Sequence, residues 1–201
     1  KGKGKKSKKN KEKFSFKSLN TFDNYIVIVG LALSAILGYS LRAWPLRFGR
    51  LLGYDPYFFL REAGYYLSGG LPEIDPMAPT VVRHLAVEDV QGIPVLTSTI
   101  ARLTGVELLS IHMYLPIFLG IIGSILLFFV TYKACGNKYI ALISSFFLAI
   151  MPAFIYRTSG VGMWKDTVGS FYFIIFMLIA IFILKEKDRS KIVVYGALSL
   201  I

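Results

Sequence analysis

The segment LLSIHMYLPIFLGIIGSILLFFVTY, residues 108–132, decides how the rest of the chain is read. A helix crosses the hydrocarbon core of a bilayer in roughly 20 residues, and this apolar run is long enough to do so. Three further segments share its character: about Tyr25 to Trp44, about Tyr139 to Tyr156 and about Thr167 to Leu184. A fifth begins near Ile192 and is still apolar at Ile201, so the sequence is expected to be the front portion of a larger protein. Composition agrees with this reading. Over 201 residues the mean hydropathy is +0.58 and 55% of residues are hydrophobic, more than a water-soluble domain of this size buries while keeping a polar surface. The expected fold class is all-α, a polytopic transmembrane helical protein without internal repeats.

Charge is distributed unevenly. The formal net charge of +11 would point to nucleic acid if it were spread over a folded surface. Much of it instead sits in residues 1–20, where KGKGKKSKKNKEK reads as a basic, disordered tail, and nucleic acid is not an expected partner. Residues 21–201 then form the membrane portion. The first span is too long and too far from the start to be a removable signal peptide. Lysines in the tail, in KACGNK between spans two and three, and in KEKDRSK after span four fall on one side if every span crosses once. The positive-inside rule makes that side the cytoplasm. A first outer loop, about residues 45–107, and a short outer link, Arg157 to Asp166, then share the opposite face. The single cysteine, Cys135, has no internal disulfide partner.

Within the first outer loop, GYDPYFFLREAGYYLSGG (53–70) carries an acid, a proline and an Arg-Glu pair among aromatics. Asp55 before Pro56 suits a helix start, with Asp as the N-cap, and Gly69-Gly70 ends the helix. Phe59, Ala63, Tyr66 and Leu67 repeat at helical spacing and define an apolar face, with Arg61 and Glu62 elsewhere on the circumference. The short outer link poses the same choice, since Asp166 precedes span four and suits its N-cap, with Trp164 and Lys165 as interface anchors. The functional alternative is a metal site. Two carboxylates at helix starts on one membrane face, each near an arginine (Arg61, Arg157), suit a divalent cation whose open positions take phosphate oxygens. Such a cation also relieves the repulsion between the acids.

These residues resemble the catalytic subunit of oligosaccharyltransferases, the archaeal branch above all. GYDPYFFLREAGYYLSGGLPEIDP looks like the family's first outer loop, whose motif Asp55, Pro56, Tyr57, Phe58, Leu60 and Arg61 match, while Phe59 stands where the family often has a polar side chain. GIPVLTSTIARLTGVELLSIHMYLPIFLG (92–120) resembles the passage into span two, and MPAFIYRTSG (151–160) the end of span three. Family members commonly carry a pair of acids after the Arg-Thr segment. Here GMWKDTV offers Asp166 alone, at either position of that pair, with Trp164 or Val168 at the other.

The resemblance implies a membrane glycosyltransferase of the GT-C type. It would transfer a glycan from a lipid-linked donor, a dolichyl phosphate or pyrophosphate, to Asn of an Asn-x-Ser/Thr sequon in an acceptor polypeptide. By the same analogy Asp55 is catalytic and a metal ligand, Asp166 a second ligand of Mg²⁺ or Mn²⁺, and Arg61, Arg157 and His84 candidates for the donor phosphate. Membrane lipids are further partners, and the site lies on the extracellular face of a multi-pass cell membrane protein with a cytoplasmic N-terminus. The fragment alone is expected to be inactive, because a further carboxylate and the sequon-reading motif of the family lie downstream. A loop histidine such as His84 is also ordinary surface, Asp75 reads as a turn residue, Glu88 and Asp89 as a solvated pair, and His112 as interfacial or packed between helices. Two alternatives stay open. Another lipid-sugar-dependent glycosyltransferase of the same broad fold would share an acidic first loop, and in a non-enzymatic membrane protein both acids would be caps.

Overall fold

The computed structural model describes residues 22–70 and 92–185, and every regular element in them is helical. Helix α1, Phe22–Ala43, runs into a tight 3₁₀ turn, Trp44–Phe48, that Gly49 closes in the left-handed region. Helix α2 spans Tyr54–Ser68 and α3 Gly92–Thr104. Helices α4 (Leu108–Cys135), α5 (Lys138–Ile150), α6 (Pro152–Arg157) and α7 (Lys165–Lys185) complete the order. The basic tail, His84, Asp75, Glu88, Asp89 and the apolar run from Ile192 lie outside the described residues.

Three helices are long and apolar enough to cross a membrane: Asn24–Phe48, Leu108–Cys135 and Lys165–Lys185. They correspond to expected spans one, two and four. The third span, expected as one helix from about Tyr139 to Tyr156, is broken. Pro152 has no N–H to donate and its ring disfavours a helical conformation at the residue before it, so Met151 turns extended (φ −63°, ψ 119°). The result is a 13-residue α5, short of a bilayer's thickness by itself, followed by the 6-residue α6.

Together α5 and α6 still return the chain along α4. Val27 near the start of α1, Phe128 late in α4 and Ala141 early in α5 form one apolar cluster with Leu31, Tyr132 and Leu142. Lys185, closing α7, donates to the carbonyl of Ala134 at 2.9 Å. The start of α1, the end of α4, the start of α5 and the end of α7 therefore share one end of the bundle, and Lys133, Lys138 and Lys185 lie there. At the opposite end Phe59 of α2, Ile93 of α3 and Met163 pack with Leu115 and Leu119 of α4 and Val168 of α7. The long outward faces of α1 and α7 stay apolar, with Leu33, Ile36, Phe173 and Phe176 all exposed, as surfaces suited to lipid are.

Candidate functional site

The site is built where α2 meets the link between α6 and α7. Leu51 is buried, and Leu52 donates its N–H to the carbonyl of Val161 at 2.8 Å. Gly53 is the N-cap of α2, at φ 100°, and a β-carbon there would stand 3.1 Å from the Trp164 ring. Gly162, at φ +129°, faces Pro56 so closely that an added β-carbon would come within 2.5 Å of the proline's own. Both glycines are thus required by close approach as well as by backbone conformation. Asp55 stands in the chain between Gly53 and Pro56. It is not the cap that the sequence leads one to expect: the cap is Gly53, two residues earlier, and Asp55 stands half-buried in the first turn, where the helix dipole still favours a carboxylate.

The buried face of α2 is Pro56, Phe59, Glu62 and Ala63. Phe59 and Ala63 match the expected apolar face, whereas Leu67 is exposed and Glu62, expected on the outer circumference, is buried. Arg61 stacks over the Phe58 ring at 5.6 Å. It lines a groove of about 300 Å³ with Tyr54, Tyr57, Phe58 and Leu60.

Asp166 also sits one residue inside its helix, in the first turn of α7. Its carboxylate meets the Arg157 guanidinium at 3.2 Å, both side chains being close to half exposed (46% and 41%). Arg157 further lies over the rings of Tyr156 (5.4 Å) and Trp164 (5.2 Å). The fold thus brings the segments of Asp55, Arg157 and Asp166 together, with Trp164 between α2 and Arg157. The indole Nε1 of Trp164 is buried without a hydrogen-bond partner among the described residues.

Beneath the link lies a residue that sequence reading passed over. Arg42, in the last turn of α1, is fully buried (0% exposed). Its Nε donates to Thr158 Oγ1 at 2.8 Å, and one terminal nitrogen donates to the carbonyls of Ala149 at 2.8 Å and Gly38 at 3.0 Å. Its plane lies over Phe154, 5.2 Å from the ring centre. No carboxylate pairs with it among the described residues. Its partners are instead neutral oxygens: the Thr158 hydroxyl just after α6, the Ala149 carbonyl in the last turn of α5 and the Gly38 carbonyl one turn back in α1 itself. The break before Pro152 is what frees the Ala149 carbonyl. An arginine in an apolar span is a sequence-level signal for such a node, but its partners are 107 and 116 residues away in the chain.

Helix α3 was likewise not foreseen inside the first outer loop, although Ile93, Thr97 and Ala101 recur every fourth residue and are its buried stripe. Thr97 donates its hydroxyl to the Ile93 carbonyl at 2.9 Å, and its oxygen lies within hydrogen-bond distance of Nε2 of His112, at 3.2 Å. His112 is therefore a packed residue between α3 and α4, one of the two roles expected for it.

As ligands for a divalent cation the residues fit in kind. Asp55 and Asp166 supply hard carboxylate oxygens from adjoining segments. No group of three or more His, Cys, Asp or Glu side chains converges among the described residues, and Asp166 already has a cationic partner in Arg157. No protein-family model, curated protein or solved structure matches this chain.

Proposed function

We propose that this chain is the N-terminal membrane portion of an oligosaccharyltransferase catalytic subunit of the GT-C type. It would serve transfer of a glycan from a dolichyl phosphate or pyrophosphate donor to Asn of an Asn-x-Ser/Thr sequon. The observation that carries the reading is the keyed contact of the α2 start with the α6–α7 link, Gly53 on Trp164 and Pro56 on Gly162. It joins the segments bearing the two motif acids at the end of the bundle opposite Lys133, Lys138 and Lys185. By the positive-inside rule those lysines are cytoplasmic and the acids face outward.

An amide nitrogen is a poor nucleophile, its lone pair being delocalised into the carbonyl, so it must be held and polarised. Asp55, in the first turn of α2, is assigned to contact the acceptor amide. Asp55 and Asp166 are the residues that would hold Mg²⁺ or Mn²⁺, whose contribution when bound is to offset charge developing on the departing phosphate. Arg157 and Arg61, both stacked on aromatic rings at the membrane surface, are assigned to the donor's phosphate, an anion a guanidinium grips well.

The decisive experiment replaces Asp55 by Ala in the complete enzyme and follows transfer of a lipid-linked glycan to a sequon peptide with added Mg²⁺ or Mn²⁺. Loss of transfer with the fold retained, judged by far-UV circular dichroism, is expected. Retention of most of the activity overturns the assignment.

A further inference from the structure

We infer that Arg42 is the positioning residue of this site, setting where Arg157, Trp164 and Asp166 stand although it touches none of their functional groups in the contacts described above. That these residues form a working site rests on the reading just given; the contacts that position them do not.

Two threonines connect Arg42 to the site, each the chain neighbour of a site residue. Thr158 follows Arg157. Its hydroxyl donates to the Phe154 carbonyl and accepts from Arg42 Nε, while its N–H closes α6 on Phe154 and Ile155. Thr167 follows Asp166, and its hydroxyl donates to the carbonyl of Arg157. The main chain of Arg42 holds the same link from the other side, its carbonyl accepting from Gly160 N–H at 2.9 Å. Arg42 thus fixes residues 158 and 160, and Thr167 ties the first turn of α7 back to residue 157. Between these ties the link carries Trp164 onto Gly53.

Only a guanidinium fits this role. Its planar fork reaches Thr158, Ala149 and Gly38 in fixed directions, whereas an ammonium is a point charge on a flexible stem. Space is reserved for it as well. A β-carbon at Gly120 of α4 would stand 2.5 Å from Arg42 Nε and 2.7 Å from Thr158 Oγ1. A buried charge without a carboxylate is costly; one hydroxyl and two carbonyls in a fixed array offset part of that cost through Nε and one terminal nitrogen, the other terminal nitrogen having no hydrogen-bond partner among the described residues, so any shift of α6 relative to α1 is penalised in hydrogen bonds.

These 201 residues contain two tryptophans, so in the full-length protein a Trp44→Phe background, with any tryptophan outside them also replaced by Phe, leaves Trp164 as the sole reporter in lipid nanodiscs. Arg42→Lys is expected to raise acrylamide quenching of Trp164 about threefold, as local opening exposes a shielded ring, with helix content unchanged. Thr158→Val should do the same, and the double variant no more than either single one, because both act along one path. Ser145→Ala is the control: its hydroxyl donates to the Ser124 carbonyl at 2.7 Å, away from the link, and its loss should leave quenching unchanged. Unchanged quenching in folded Arg42→Lys, or in Thr158→Val where Arg42→Lys does not fold, overturns the inference, as does an additive double variant or an equal response of the control. Trp164 quenching is read without any transfer assay, so failure here leaves the proposed activity standing, and failure of the activity leaves this result standing.

Discussion

At one end of the bundle α4 turns into α5 through Gly136 and Asn137; at the other, α6 passes to α7 through the link from Thr158 to Trp164. The first turn is exposed and closes on its own chain. Gly136, at φ 74°, donates to Tyr132, and the Asn137 side chain accepts from the N–H groups of Tyr139 and Ile140 at 2.9 and 3.2 Å. The second is buried from Thr158 to Met163, and the middle of its backbone finds partners in distant elements, Gly160 with Arg42 and Val161 with Leu52. A buried loop is stable only if other parts of the molecule satisfy its polar groups. The basic end thus merely reverses the chain, while the opposite end holds a loop in place against α1 and α2.

Substitutions test that asymmetry. The largest destabilisation is expected from Gly162→Ala, which combines a left-handed backbone position with a clash on Pro56; about 3 kcal/mol is expected, read as a lowered unfolding midpoint in mixed micelles. Gly120→Ala should follow at about 2 kcal/mol, because the new methyl meets Arg42 and Thr158 inside a packed core. At the basic end Asn137→Ala removes a helix cap and should lower stability by about 1 kcal/mol. If Asn137→Ala proves the costliest of the three, the contrast between the ends is wrong. Asp166→Asn removes a half-exposed ion pair, and solvent screening limits its effect on the same midpoint to less than about 1 kcal/mol. A loss well above that would mark Asp166 as chiefly structural and weaken its assignment to the site.

Much of the architecture is local information. The apolar runs at α1, α4 and α7 are long enough to be read from composition, and Gly69-Gly70 marks the end of α2. The break in the third segment was equally local, since Pro152 stands inside the run, but an apolar stretch of sufficient total length masks it when only hydropathy is counted. Helix α3 was hidden for the opposite reason: its stripe of Ile93, Thr97 and Ala101 includes a threonine and does not stand out as apolar. At the site, the residue types Asp55, Arg157 and Asp166 were legible, as were the places of the two acids near helix starts. That Asp166 pairs with Arg157 was not.

The three long apolar helices α1, α4 and α7 are written in the sequence, because helix hydrogen bonds and apolar transfer depend on residues a few positions apart. That Glu62 is buried, that Trp164 lies on Gly53 and that Arg42 finds its partners at Thr158, Ala149 and Gly38 was settled by the packing of the helices. These facts depend on groups far apart in the chain meeting at close range, and neither periodicity nor composition carries that distance.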